Sequence, residues 1–500
     1  VFEVWHSDLA ARIGRLQTLH GVVETPAFVP VVHPVRQTVS TQFLKKMGFD
    51  LVITNAYITL RHYGDEARRR GIHDIINYDG AVMTDSGGYQ VLEYGSVEVE
   101  PAMMAQFEND IKSDIPIPLD RPTGYGLEYK KAKEYVAITL KNALESLRVI
   151  DNTGAIWVAP VQGAEHFDLV EYSARELDTM GFEMMALGSP VELMEAYEFA
   201  MLARMIVSAK RVIPAKPIHL FGAGHPLTIP LAIALGCDTF DSASYMLYAK
   251  DNRYMTPNGT VRLDELAYLS CQCPVCSSHT VQELHKMEID KRTIEIAKHN
   301  LHILKAEVEA VKQAIMDGRL WEYVMQKARA HPKLMEAAQI FKDVEMLEEG
   351  TPLFKEKAIF FYDPIDQHRP EAKRFRKTVA TFQSSKKKKL ILCPEDEIHP
   401  FYSTTSYKDI VKKFPDAQVC SYSPFLGIIP AEISDVFPAS HNLATRSGHR
   451  LEDYPTFVES LKSFAGKFEK IVVIAPDDFM KQATKAARLN ACLVDDISVL

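Results

Sequence analysis

The chain has 500 residues, a net charge of −9, 47% hydrophobic and 25% charged residues, the profile of a folded chain of about two to four domains and not of a disordered or collagen-like one. No run of ~18 apolar residues occurs, which excludes a membrane-spanning helix, and the charged first stretch, VFEVWHSDLAARIGR, lacks the apolar centre of a signal peptide. Seven cysteines are too few for a secreted disulfide scaffold; three crowd into Cys271-Gln-Cys273-Pro-Val-Cys276, which reads as metal binding in a reducing cytoplasm.

From about residue 20 to 245, short apolar runs alternate with longer amphipathic stretches. The runs are Ala27–Val31, Leu51–Thr54, Ala81–Thr84, Ile115–Leu119, Ile156–Val161, Met184–Leu187, Ile218–Phe221 and Thr239–Asp241. Helical patterns such as Lys130–Val149 and Leu193–Val207 separate them. Eight βα units of this size predict an α/β fold, a (β/α)8 TIM barrel, with a doubly wound open sheet as the competitor.

The cysteine cluster follows the last run, and a long helical pattern covers Val281 to Arg319. The reading is therefore a catalytic barrel over residues 1–320 with a metal site at 271–299, a connecting region over 321–385, and a smaller C-terminal α/β domain over 386–500. Within that last domain, Leu390–Cys393, Ala417–Cys420, Ile471–Ile474 and Ala491–Val494 read as buried strands. The lysines Lys386–Lys389 read as an exposed linker or a basic edge.

The chemistry gathers where the presumed strands end. Asp85 and Ser86 open Asp-Ser-Gly-Gly-Tyr89-Gln, Asp120 closes Pro-Ile-Pro-Leu-Asp, and Gln162 follows Val161. Gly188-Ser189-Pro190 follows Leu187, Gly222-Ala223-Gly224-His225 follows Phe221, and Asp241 begins Asp-Ser-Ala-Ser-Tyr. In a barrel these positions share the carboxyl face, where barrel enzymes build their sites. A lone Asp after a strand is usually a cap or turn residue. Three acids at three strand ends, with an amide, are better explained by one shared site able to read the donor edge of a purine-like base. Glycines there would let a planar ligand approach the main chain. Ser86 and Ser242 lack the Gly-x-Ser-x-Gly elbow of a hydrolase nucleophile.

Cys271, Cys273 and Cys276 supply three ligands of a closed, structural zinc site, which wants four. His279, His285, His299 and His302 are the candidates for the fourth.

In this order, TPAFVPV (Thr25–Val31), TDSGGYQV (Thr84–Val91), PLDRPT (Pro118–Thr123), VQG (Val161–Gly163), HLFGAGHP (His219–Pro226), FDSASY (Phe240–Tyr245), CQCPVC and AKHNL (Ala297–Leu301) resemble the tRNA-guanine transglycosylases, in their archaeal form. The likeness is strong to about residue 320 and weaker beyond, at SPFLGIIP (Ser423–Pro430). It implies that guanine at position 15 in the D-arm of tRNA is exchanged for 7-cyano-7-deazaguanine, the archaeosine precursor, by a cytoplasmic pentosyltransferase. It also implies roles: Asp241 as nucleophile, Asp85 as general acid and base, and Asp120 and Gln162 on the base edge. Tyr89 would stack on the base, Ser86 and Gly188 would line its pocket, and His299 would be the fourth zinc ligand. Gly188-Ser189-Pro190-Val191 departs from the glycine-glycine-valine type of turn usual at that place.

The family likeness further implies a homodimer, and an RNA-binding PUA domain not seen in this chain, expected as a separate protein or a missing extension. Two relatives compete. A paralogue that acts on the inserted base carries a lysine-bearing motif where this chain has Cys393-Pro-Glu-Asp-Glu-Ile-His-Pro. A non-catalytic subunit would lack the nucleophile, and Asp241 is present. For phosphate contacts the conspicuous cations are Lys386–Lys389, Arg374–Lys377, Lys250 and Arg253.

Overall fold

In the computed structural model, which describes residues 2–88, 99–150, 154–382 and 387–496, the apolar runs become parallel strands. The chain divides into two compact units, residues 1–316 with 323–340 and residues 317–322 with 341–500. The segment expected to connect two domains is thus divided: 323–340 belong to the first unit, while the part from 341 on belongs to the second.

The first unit opens with an antiparallel sheet that the pattern of apolar runs does not reveal. Its strands are β1 (Phe2–Asp8), β2 (Ala11–Thr18) and β3 (Gly21–Thr25). Then follow β4 (Ala27–Pro30), β5 (Leu51–Asn55), β6 (Ala81–Asp85), β7 (Ile115–Ile117), β8 (Val158–Val161), β9 (Met184–Leu187), β10 (Ile218–Leu220) and β11 (Thr239–Ser242). They are buried on both faces, which is why they read as unbroken apolar runs and not as alternating ones.

The sheet orders are β4-β11-β10-β9-β8 and β5-β6-β7, with every pair parallel. A parallel bridge joins Val31 to Ile53, reinforced by a 2.7 Å bond from Val32 N to Ile53 O. Between the other two edges, Ile156 N donates to Asp114 O at 2.8 Å. Leu51 and Ile53, Ala81 and Met83, Ile115 and Ile117, and Met184 and Ala186 meet Val29 and Val158 in one core. Residues two apart share a strand face, so these strands turn one face toward a common interior. Helices such as Tyr129–Ser146 cover other faces through Ala132, Val136 and Ala143.

After β11 come a short hairpin, β12 (Arg253–Thr256) with β13 (Gly259–Arg262), and the helix Ile289–Met316. The single helix expected over 281–319 is broken. Val281–Lys286 is a separate helix, started by a capping box between Thr280 and Glu283. Its His285 is bound to Leu263 O at 3.0 Å, and Met287 is extended, so the chain changes direction before Ile289. Periodicity sees only spacing and misses such a change. The long helix stops before Gly318, whose φ of +66° suits glycine best.

The second unit holds β14 (Ile359–Phe361) paired with β18 (Asn442–Ala444). Its main sheet has the order β17 (Gly427–Pro430), β16 (Ala417–Ser423), β15 (Lys389–Pro394), β19 (Lys470–Ile474) and β20 (Ala491–Val494). Only β17 is antiparallel to its neighbour in that sheet. In the basic stretch at 374–377 the two arginines bond within the fold, while Lys377 is exposed. Arg374 donates to the carbonyls of Glu348, Thr351 and Pro352, Arg376 to those of Gln367 and Phe425, and Lys377 pairs with Glu348 at 2.7 Å. Lys388 pairs with Glu469 and Lys389 lies over the Phe414 ring, while Lys386 is outside the described residues.

Candidate active site and metal centre

The carboxyl ends of the parallel strands place the predicted acids. Asp85 ends β6, and its Oδ2 accepts from Asn55 Nδ2 at 3.0 Å, Asn55 being its register partner on β5. Its Oδ1 accepts from Gly87 N at 3.2 Å. Burial pushes the Asp85 carboxyl up to about 6; the Gly87 and Asn55 donors oppose the rise, and the Asp241 charge adds to it. Asp241 therefore acts electrostatically on Asp85, although the two are far apart in sequence.

Asp241 lies in β11 and is 8% exposed. His219 Nε2 donates to its Oδ1 at 3.1 Å and Gly222 N donates to the same oxygen at 3.0 Å. His219, fully buried on β10, contacts Thr239 Oγ1 through Nδ1 at 2.8 Å. Sequence reading named His219 only as the first residue of a family segment. Its signal lies in the strand register, which sets His219 opposite Thr239, two residues before Asp241.

Asp120 follows β7 and accepts from Gln162 Nε2 at 2.5 Å. Burial, with the Asp85 charge added, pushes the Asp120 carboxyl up to about 7 against that donor. Gln162 is fully buried and its orientation is dictated. Its Oε1 accepts from Thr123 N at 3.0 Å, Thr123 Oγ1 at 3.1 Å and Ser189 Oγ at 3.0 Å, so Nε2 must face Asp120. Ser189, in the unusual Gly-Ser-Pro-Val turn, has a φ of +62° and holds both this amide and Gly124 N.

Gly88 and Gly188 are packing requirements. A Cβ on Gly88 would lie 1.7 Å from Asp120 Oδ1, and one on Gly188 would lie 2.0 Å from Gln162 Nε2. The Gly188 N–H is committed to Val161 O at 2.9 Å. Ser86 is fully buried, with an Oγ that has no hydrogen-bond partner among the described residues. Ser242 Oγ accepts from Ser244 N at 3.0 Å and acts as a turn residue. Tyr89 lies outside the described residues. A buried Glu108, missed from sequence, sits behind Asp85. Burial raises its carboxyl well above the usual range, and Thr84 Oγ1 donates to it at 2.7 Å. Together the strand ends offer acids in unlike environments around an oriented amide, a set able to bind a polar planar base and move its protons.

The second cluster is a candidate metal centre. Cys271, Cys273, Cys276 and His299 bring their donor atoms within 4.8 Å of one another. His299 Nδ1 is 3.5 Å from Cys273 Sγ and 3.3 Å from Cys276 Sγ, and the two sulfurs are 3.6 Å apart. Edges of a tetrahedron around an ion bound by thiolates at 2.3 Å measure about 3.8 Å, so the four residues fit a metal with little movement. His299 is oriented from behind. Its Nε2 bonds Met255 O at 2.8 Å and the Tyr254 ring stacks on it at 3.6 Å. His285 is committed to Leu263, and His302 is set edge-on to Phe43.

Comparisons with known proteins agree with this arrangement. The family model described as queuine tRNA-ribosyltransferase matches residues 7–333. The chain is 40% identical over 444 residues to the tRNA-guanine(15) transglycosylase of Sulfolobus acidocaldarius, covering 87% of each. It is 41% identical over 449 residues to that of Aeropyrum pernix, with 88% of this chain and 86% of the relative covered. With the protein of the same name from Archaeoglobus fulgidus it shares 40% over 442 residues, covering 88% and 87%.

Proposed function

The chain belongs to the queuine tRNA-ribosyltransferase family, and from that premise we propose that it is a tRNA-guanine(15) transglycosylase that replaces guanine in the D-arm of tRNA by 7-cyano-7-deazaguanine on the way to archaeosine. The observation that carries the reading is the pair of acids at two distant strand ends in different surroundings, Asp85 held by Asn55 and Gly87 and Asp241 by His219 and Gly222.

Asp241 attacks the ribose. Its lone pair forms the O–C1′ bond as the C1′–N9 bond breaks, and the bonding pair leaves with guanine. Asp85, its carboxyl raised to about 6, gives the departing base a proton. Guanine then leaves and the deazapurine enters. Asp85, now a carboxylate, takes the proton from its ring N–H. The freed pair attacks C1′ and displaces the Asp241 carboxylate. One glycosidic bond replaces another, so no external energy source is required. The carboxylate turns one difficult displacement into two easier ones.

Asp120 and Gln162 read the base edge, supported by the single orientation open to the Gln162 amide. Ser86 lines the same pocket, supported by its unpartnered hydroxyl. Gly188 gives Gln162 room. The target base must leave its stack to reach them. The eight parallel strands close as a (β/α)8 barrel. Supporting this are the bridge between β4 and β5, the bond from Ile156 to Asp114 and the shared interior core. The Cys271, Cys273, Cys276 and His299 set holds a structural zinc, supported by the soft, closed donor set, which leaves no protein-free position for chemistry. The protein acts as a cytoplasmic homodimer through the zinc region, where Tyr268 is 84% exposed. No helix among the described residues is long and apolar enough to cross a membrane.

Incubation with tRNA and labelled guanine tests the reading. The wild-type chain incorporates label, Asp241→Ala does not, and a covalent RNA adduct forms on a denaturing gel only with Asp241 present. Label incorporated at an undiminished rate by Asp241→Ala overturns the assignment.

A further inference from the structure

A histidine in the middle of a parallel strand array needs a reason. Apolar β-branched residues fill such positions by default, and a buried ring nitrogen without a partner costs stability. His219 is fully buried, yet both of its nitrogens are paired. The strand register produces this. His219 on β10 is opposite Thr239 on β11, and Thr239 and Asp241 are two apart and so share a face. The ring therefore spans from Thr239 Oγ1 at 2.8 Å to Asp241 Oδ1 at 3.1 Å. Because the Oδ1 of a carboxylate can only accept, Nε2 carries the hydrogen, and Nδ1 pairs with the Thr239 hydroxyl.

The consequence falls on Asp241. Its Oδ1 takes two N–H donors, His219 Nε2 and Gly222 N at 3.0 Å. No described residue donates to Oδ2. We propose that His219, clamped by Thr239, is a positioning residue that commits Asp241 Oδ1 and leaves Oδ2 as the oxygen that attacks the ribose. The inference rests on the glycosyl exchange proposed above.

The arrangement serves both halves of that exchange. In the first, the Oδ2 lone pair forms the bond to C1′, the C1′–N9 pair leaves with the base, and Oδ1 becomes the ester carbonyl. In the second, the entering base takes C1′, the O–C1′ pair returns to the carboxylate, and the same two N–H donors meet the charge that reappears. The donors are in place beforehand, so no reorganisation is needed as charge develops.

The test compares His219→Leu, His219→Gln and Thr239→Val with the wild type in steady-state exchange of labelled guanine. Leu removes the donor. Gln restores an N–H for Asp241 and an acceptor for Thr239. The expected loss in kcat for His219→Leu is about 10- to 100-fold, the rate equivalent of one hydrogen bond to a charged group, with KM for guanine unchanged. Asp85 and Asp120, the other acids of the cluster, are untouched in all three variants. His219→Gln regains most of the rate, and Thr239→Val falls between. A structure of the trapped adduct shows the ribose on Oδ2, with Oδ1 still within hydrogen-bond distance of His219.

An unchanged kcat in His219→Leu, or a ribose on Oδ1, overturns the inference. If Leu prevents folding, His219→Gln and Thr239→Val decide it, since a Gln variant as slow as a nucleophile deletion also overturns it. Absence of exchange by the wild-type chain sinks the functional reading itself, a result distinct from all of these.

Discussion

Asp120→Asn should make the protein more stable and less active, with the gain in stability confined to neutral and alkaline pH. Burial and the Asp85 charge push the Asp120 carboxyl up to about 7, against ~3.9 in an unfolded chain. That difference of roughly three units corresponds to about 4 kcal/mol. Asp120 is partly reached by solvent, and halving for screening leaves about 2 kcal/mol. The sign follows from proton linkage. The folded state holds the proton more tightly, so it is favoured at low pH and penalised as pH rises from about 4 to 7. Asn keeps an oxygen for Gln162 Nε2 and removes the charge, so the penalty disappears. Urea unfolding should show Asp120→Asn about 2 kcal/mol more stable at about pH 8 and no different at about pH 4. Guanine binding should weaken in the same protein, because an amide offers one acceptor where the carboxylate offered two. A variant no more stable than wild type at the higher pH, or equally stabilised at both, refutes the argument from burial and charge.

Gly188→Ala should raise KM for guanine and destabilise the fold by about 1–3 kcal/mol, because the new Cβ meets Gln162 Nε2 at 2.0 Å while Thr123 and Ser189 hold that amide in place. An unchanged melting curve and KM would show that Gln162 can retreat. His299→Ala should lose stoichiometric zinc by metal analysis, with the region around residues 271–276 destabilised before the chemistry suffers; full occupancy would return the fourth ligand to His279, His285 or His302. Lys250 is exposed at the end of the helix that follows β11, and with Arg36 it lowers the pKa of His33 beyond the effect of burial. Lys250→Glu should weaken tRNA binding and flatten the plot of log affinity against log salt by about one unit, and an unaltered slope would remove Lys250 from the phosphate contacts.

The parallel strands were legible because burial on both faces leaves a run that needs no alternation to be noticed. Met184–Leu187 was read to the residue. Ile156–Val161 was read two residues too long, because Ile156 and Trp157 are buried without belonging to the strand. The N-terminal sheet was illegible for the opposite reason. Most of β1 faces outward, with Val4 and Trp5 exposed beside Glu3 and His6, so no apolar run marks it. The antiparallel β17 is four residues long and follows β16 through a three-residue turn at 424–426, too short an apolar stretch to stand out as a strand. The basic run at 374–377 shows that charge in a sequence does not say where a side chain points. Arg374 and Arg376 spend their donors on backbone carbonyls of Glu348, Thr351, Pro352, Gln367 and Phe425.

The site shows what kind of information a single sequence carries. Acids at strand ends are visible because a charge after an apolar run stands out. The residues that orient them are not, since each depends on a neighbour far along the chain: Asn55 on Asp85, Ser189 on Gln162, His219 on Asp241. The glycines fall between these cases. They were expected to let a ligand near the backbone, yet Gly88 and Gly188 make room for side chains, Asp120 in one case and Gln162 in the other. A glycine beside a binding residue therefore need not touch what is bound. It can be required because a reading group stands where its Cβ would be, and the cost of replacing it then appears in the orientation of that group.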